Sequence, residues 1–239
     1  HLGPLLAVWG LAMLMLFVIQ DIGSSLMFFG GFLALVYVAT NRLSFVVIGL
    51  GLFAAGGRLL YLLRPTIENR VQAWLDPLDP RLYEAQGGSY QLAQSLFAQA
   101  DGGLLGAGFG GAIIELPQGG QILPAAHTDF VYAVITNELG LVGACAVVLV
   151  YLLVVERGFK TAMLARDPFE KLLAAGLTAV FALQVFVIVG GVVRLIPLTG
   201  VTLPFISYGG SSIVANFVLL ALLLLVSDRA RRQAVEDAP

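Results

Sequence analysis

The sequence is poor in charge. Of its 239 residues only 12% are Asp, Glu, Lys or Arg, about half the share usual in a water-soluble domain. No soluble core of this size needs the 59% of hydrophobic residues found here, so the solvent is a bilayer. An excess of positive charge is missing too. The formal net charge is −2, which argues against a nucleic-acid partner. The single cysteine, Cys145, excludes an intrachain disulfide framework and Cys-rich zinc sites. Histidine is confined to His1 and His127, so His127 reads as an orienting or interfacial residue rather than a metal ligand. The glycine-rich run 102–111 has no lysine after it and is no P-loop. The chain opens at His1, without methionine or a basic signal-peptide flank, and we expect residues to be missing on its N-terminal side.

Present instead is a succession of apolar runs. Residues 5–19, 25–39, 45–63, 130–155, 172–193 and 206–226 are each long enough to be read as a span. The polar residues 20–24 and 40–42 break the first three apart, and Asp21 with Gly23 favours a tight turn. Arg58 lies near the end of the third run, where it can snorkel to the headgroups. The expected fold class is an all-α polytopic membrane protein, with about six transmembrane helices and one long extracellular loop carrying short helices. The expected divisions are three spans in 1–63, the loop in 64–128, three spans in 129–228 and a cytoplasmic tail in 229–239.

The loop 64–128 is too long for a plain connection and is read as functional. Residues 67–75 suit a short interfacial helix with Trp74 at headgroup level. Residues 89–100, SYQLAQSLFAQA, suit a second helix with Ser89 as N-cap. The glycines of 102–111 predict a backbone that passes close to something. Basic residues set the orientation. The 156–171 loop carries Arg157, Lys160, Arg166 and Lys171, and the tail carries Arg229, Arg231 and Arg232. Both are therefore cytoplasmic, and six spans then put the long loop, the Asp21 turn and the Arg194 turn outside.

On this reading Asp129 stands at the outer mouth of the fourth span. A carboxylate there can act as a general base. It can also simply cap a helix, since Asp is a favoured N-cap. Glu138, nine residues further on, is expected about half a turn out of phase with Asp129 and roughly 13 Å along the helix axis. The two then face opposite sides and are not the close carboxylate pair of a retaining glycosidase. Glu138 within a span should have a partner. Tyr132, Ala133 and Thr136 would share the Asp129 face.

Five motifs then carry a resemblance along almost the whole chain. Gln20-Asp21-Ile22-Gly23 resembles Q-x-D-L-G, and residues 70–77 resemble R-x-x-x-W-x-x-P. Residues 88–95 resemble G-Y-Q-x-x-Q-S, followed by a G-x-G. His127-Thr128-Asp129-Phe130 resembles H-T-D-F, and residues 204–212 resemble P-x-I-S-Y-G-G-S-S. Together they are similar to the SEDS family of polytopic membrane proteins (shape, elongation, division and sporulation), which includes FtsW, RodA and SpoVE. Ala125 stands where the family often has Glu, and Asn137 where it often has the first of two glutamates.

The resemblance implies roughly the last six of about ten spans. It implies a peptidoglycan glycosyltransferase that polymerises lipid II into glycan strands at the plasma membrane, on its extracytoplasmic face. The growing strand and a class B penicillin-binding protein would be its partners. Asp129 matches the family's essential carboxylate. Arg70, Arg194 and the 102–111 backbone are candidates for the leaving pyrophosphate. Trp74 is an interface anchor first and a substrate contact second. Gln91, Gln94 and Ser95 are candidates for sugar or peptide. Tyr90, His127, Thr128, Tyr132, Ser207 and Tyr208 join the substrate-binding set through the motifs they sit in. For residues 207–212 the default reading is close helix packing, and for Asp21 a turn cap. No metal-ligand motif is visible, so no cofactor is assigned; a divalent cation, Mg or Mn, is left open. Two rival readings stand beside the enzyme: a lipid II flippase, and a non-catalytic scaffold for a penicillin-binding protein. A flippase should carry polar groups through its spans, and here these are chiefly Glu138, Gln184 and Asn216.

Overall fold

The structure is a computed structural model that describes residues 2–18, 21–84, 89–112 and 122–236. Gln20, Gly88 and Glu115, which the motif and loop readings used, lie outside the described residues. The described residues form helices and no strands. In order they are α1 (Leu2–Val18), α2 (Ile22–Thr40), α3 (Leu43–Leu63), α4 (Pro65–Leu75), α5 (Pro80–Tyr83), α6 (Tyr90–Gly102), α7 (Val131–Leu164), α8 (Pro168–Val192) and α9 (Gly210–Glu236).

Among the described residues, α2, α3, α7, α8 and α9 are long and apolar enough to cross a membrane. The apolar α1 has 17 residues, the lower limit for a span. Leu149, Val150, Leu152 and Leu153 on α7 are all exposed. Large apolar side chains outside the core are what hydrocarbon solvent permits.

Residues forming these elements also explain their ends. Asp21 is the N-cap of α2. Its Oδ1 accepts the Ser24 N–H at 2.9 Å and its Oδ2 accepts the Ser24 hydroxyl at 2.6 Å. Asn41 closes the same helix in the left-handed region, at φ 52°, where Asn is among the tolerated residues. Ser89 occupies the N-cap position of α6, but its side chain makes no capping bond. Two polar stretches expected as connections are helical. Much of 156–171 continues α7 to Leu164, and α9 runs through the basic tail to Glu236. The last span begins at Gly210 rather than 206.

The chain forms two compact units. The first comprises His1–Leu59, Tyr151–Gln184 and Gly210–Pro239; the second comprises Leu60–Val150 and Val185–Gly209. Within the first, Phe29 and Leu33 on α2 pack with Val8, Trp9, Phe45 and Phe53, and the Phe29 and Phe53 rings stack at 5.4 Å. A second cluster joins Ala162, Ala165, Ala174, Ala175, Leu223 and Val226. Small residues there let helices approach closely, the usual basis of association in a bilayer. Beside this cluster Arg229 pairs with Glu170 at 3.2 Å.

Within the second unit α7 is not one continuous rod. Gly140 has φ 67° and ψ −173°, so two helical stretches meet at a break. This corrects the expectation of an unbroken span over 130–155. The loop 102–111 fills the break. Ala107 and Gly108 donate to the carbonyls of Asn137 and Glu138, while Leu141 and Val142 donate to those of Gly103 and Leu104. The backbone groups freed by the break are thus paired inside the protein, as a low-dielectric surrounding requires. A Cβ at Gly106 would lie 2.1 Å from the Glu138 oxygen, which is why that position has no side chain.

Candidate active site

Asp129 lies two residues before α7, in the turn 124–130, not on the helix. The phase argument that set Asp129 against Glu138 on one helix therefore does not apply. Among the described hydrogen bonds none runs from an α7 N–H to the Asp129 carboxylate, so the capping reading is not what the structure displays. The carboxylate instead lines a cavity of about 170 Å³ together with Asn69, Arg70, Ala73, Gln91, Leu92, Leu198 and Gly200.

Three elements of the second unit join the Asp129 turn in building this cavity. Helix α4 supplies Arg70 and α6 supplies Gln91. The segment after α8 supplies Leu198 and Gly200. Half-burial raises the Asp129 pKa above the ordinary aspartate value; a hydrogen bond from Thr128 and the nearby charge of Arg70 each pull it back down. Desolvation dominates. The result is a carboxylate more basic than one in water, in a cavity that Arg70 also lines.

The turn that carries Asp129 is clamped from the far end of the unit. The Ser207 hydroxyl donates to the Thr128 carbonyl at 2.7 Å and accepts the Leu203 N–H at 2.8 Å. The Tyr208 N–H donates to the His127 carbonyl at 2.8 Å. Ser207 is 2% exposed, so these bonds are shielded from water. The sequence reading gave 207–212 a packing role; the clamp between two motifs 79 residues apart was missed.

The other candidates fall into separate places. Trp74 Nε1 donates to the Arg194 carbonyl at 3.1 Å, and Arg194 Nε donates to the Trp74 carbonyl at 2.7 Å. Arg194 Nη2 also donates to the Leu75 carbonyl. The Arg194 guanidinium thus tethers the C-terminal end of α4 and is not among the residues lining the cavity. Tyr90 packs edge-on to Tyr83. Ser95 is buried and accepts from Gln99. Gln94 donates to the Tyr83 hydroxyl at 2.8 Å and faces a different cavity from Gln91. The His127 side chain is exposed and Tyr208 is 78% exposed.

Tyr132, Ala133 and Thr136 do not line the Asp129 cavity. All three are buried, and the Tyr132 hydroxyl donates to the Ala144 carbonyl across the Gly140 break. They face inward because Asp129 precedes the helix and no longer shares its phase. Glu138 has its partner: Oε1 accepts the Gly110 N–H at 3.1 Å. Among the described residues no cluster of three or more His, Cys, Asp or Glu is placed to hold a metal ion.

The family model FTSW_RODA_SPOVE, described as "Cell cycle protein", matches residues 1–232. Peptidoglycan glycosyltransferase RodA of Mycobacterium tuberculosis is 49% identical over 232 residues, which is 97% of this chain and 47% of that protein. A probable peptidoglycan glycosyltransferase FtsW of Geobacter metallireducens is 35% identical over 215 residues, 89% of this chain and 54% of that protein. A chain from a solved peptidoglycan synthase complex superposes with a TM-score of 0.71 at 26% identity, covering 95% of this chain and 61% of that one. The chain spans about half the length of the curated relatives it matches. It is a multi-pass membrane protein, and it belongs to the FtsW, RodA and SpoVE family, the SEDS proteins.

Proposed function

We propose that this chain carries the catalytic carboxylate of a peptidoglycan glycosyltransferase that polymerises lipid II into glycan strands. The observation that carries the reading is that a half-buried Asp129 and Arg70 line one cavity. An acceptor sugar hydroxyl is a poor nucleophile. Asp129 takes its proton as the new C–O bond forms at the anomeric carbon, and the bond to the lipid pyrophosphate breaks. Such general-base help is worth about 10²–10⁴-fold. The raised pKa of Asp129 brings its basicity nearer to the operating pH. Arg70 faces the negative charge that collects on the leaving pyrophosphate. A cavity of about 170 Å³ is smaller than the ~300–1,000 Å³ typical of ligand pockets, so it takes the reacting end of a substrate whose lipid stays in the bilayer. For a divalent cation Asp129 is the one carboxylate among the described residues lining the cavity, which suffices only if substrate phosphates provide most other ligands.

The extracytoplasmic face and a class B penicillin-binding partner belong to the same proposal. The first follows from the basic 156–171 stretch and C-terminal residues. The second is supported by the likeness to a peptidoglycan synthase complex. The identity to a RodA, 49%, exceeds that to two FtsW proteins, 35% and 42%, and supports a RodA-like role. The flippase reading has one observation on its side, the helix broken at Gly140, because transporters build sites at discontinuous helices. Against it, the mid-span polar groups are engaged locally. Glu138 accepts from Gly110, and Asn216 donates to Ser212 on its own helix. Purified protein supplied with lipid II in a detergent or bilayer without a membrane gradient distinguishes the two. Polymer forms if the enzyme reading holds; unchanged lipid II, with movement across vesicles, supports transport instead.

A further inference from the structure

Helix α6 runs beside the first stretch of α7 and in the same direction. Its first turn supplies Gln91 and Leu92 to the Asp129 cavity. Further along, Asn137 Nδ2 donates to the Ala98 carbonyl at 2.7 Å. At its end the Gly103 and Leu104 carbonyls accept the N–H groups of Leu141 and Val142, just past the Gly140 break. The two lengths agree. At roughly 1.5 Å per residue, Gln91 to Gly102 on α6 covers about 16 Å and Val131 to Gly140 on α7 about 14 Å. No charged residue follows Glu138 on α7 until Glu156, about 24 Å beyond Gly140. A hydrocarbon core ~30 Å thick that closes near Glu156 therefore takes in the break and the loop that fills it.

Residues 102–112 carry no charge. Three large apolar side chains of this loop stand clear of the protein: Leu104, Leu105 at 82% exposure and Phe109 at 87%. Backbone bonds hold the loop level with residues 137–142 of α7, where Leu141 and Val142 are exposed as well. Irregular backbone is admitted at such depth only where its polar groups are paired. Here the N–H groups of Gly106, Ala107, Gly108, Gly110 and Gly111 all donate within the protein. Glu138 accepts one of them, and Asp101, at the end of α6, lines the separate cavity that Gln94 faces. Both placements suit ionisable groups at this level. We propose that the tip of the 102–111 loop is a lipid-binding element. Helix α6 carries it below the membrane surface, where Leu104, Leu105 and Phe109 pack against phospholipid acyl chains. The anchor fixes the depth of α6 and, through Gln91 and Leu92, of the Asp129 cavity. It needs no particular chemistry at Asp129.

The test uses the whole chain in vesicles of palmitoyl-oleoyl phosphatidylethanolamine and phosphatidylglycerol. A nitroxide is attached at Leu105→Cys or Phe109→Cys, each with Cys145→Ser. Val142→Cys serves as the lipid reference and Leu78→Cys as the aqueous one. Collision rates are compared for oxygen, which concentrates in hydrocarbon, and for a neutral nickel chelate, which stays in water. Expected at 105 and 109 is an oxygen-to-nickel ratio close to that at 142 and several-fold above that at 78. A ratio like that at 78 puts the loop in water. Low collision with both reagents puts it under protein, whether another segment or a partner. Either result overturns the anchor. The unaltered protein gives a second reading free of substitutions. In the same vesicles doped with a phospholipid that carries a diazirine in its acyl chain, light should couple lipid to residues 104–109. Lipid coupled to α7 but not to this loop contradicts the anchor.

Discussion

At the scale of single residues, the proposed chemistry turns on how Arg70 and Ser207 set the state of Asp129. Burial raises the Asp129 pKa, whereas Arg70 lowers it. Replacing Arg70 with Gln removes a lowering influence, so the pKa rises further. The base is then protonated over a wider acid range. The acid limb of kcat/KM against pH therefore moves to higher pH in Arg70→Gln, and the plateau rate falls about 10²–10³-fold through loss of charge on the leaving group. Arg70→Lys keeps the charge and should leave the limb close to its original position. An unmoved limb in Arg70→Gln would separate Arg70 from Asp129. Ser207→Ala leaves the Thr128 carbonyl and the Leu203 N–H without their partner. The expected cost is about 1–3 kcal/mol per unsatisfied group, read as a lower unfolding midpoint, with a fall in activity because the 127–129 turn loses its clamp. Asp129 was legible in the sequence from its motif and from its position before an apolar run. The clamp was not, because a hydrogen bond between residues 79 apart leaves no local pattern.

At the scale of elements, the decisive feature is the break at Gly140 and the loop that fills it. A non-glycine residue at φ 67° is strained by about 1–3 kcal/mol, and a Cβ there would also lie 2.3 Å from the Leu104 carbonyl oxygen. Gly140→Ala should therefore lower the unfolding midpoint of the purified protein markedly, and an unchanged midpoint would argue that α7 is continuous. The sequence announced the loop, since glycines crowd 102–111, and it anticipated a close backbone approach. It did not announce the partner. Residues 130–155 are mostly apolar, and Gly140 and Gly143 do not stand out there, because a glycine inside such a run is ordinarily tolerated. The same limit explains the helix ends. The basic residues of 156–171 and the tail mark the membrane boundary, but Arg and Lys are good helix formers, so α7 and α9 continue past it. Trp74 and Arg194 show the converse. Trp74 was read first as an interface anchor and Arg194 as a pyrophosphate contact, whereas together they fasten α4 to the segment after α8.

At the scale of the whole molecule, composition alone settled the solvent and the helical class, because so little charge cannot clothe a soluble fold. The proposed orientation rests on basic residues and has its own check. In a protein with Cys145→Ser, Leu78→Cys in the long loop should react with an impermeant maleimide in intact cells. Arg231→Cys should react only after the membrane is opened. The reverse pattern would place Asp129 on the cytoplasmic side and end the proposed chemistry. The most direct measurement is the length of glycan made from lipid II by the purified protein and by its folded Asp129→Asn variant. The account predicts polymer from the first and none above background from the second. Polymer of equal length and rate from both would contradict it.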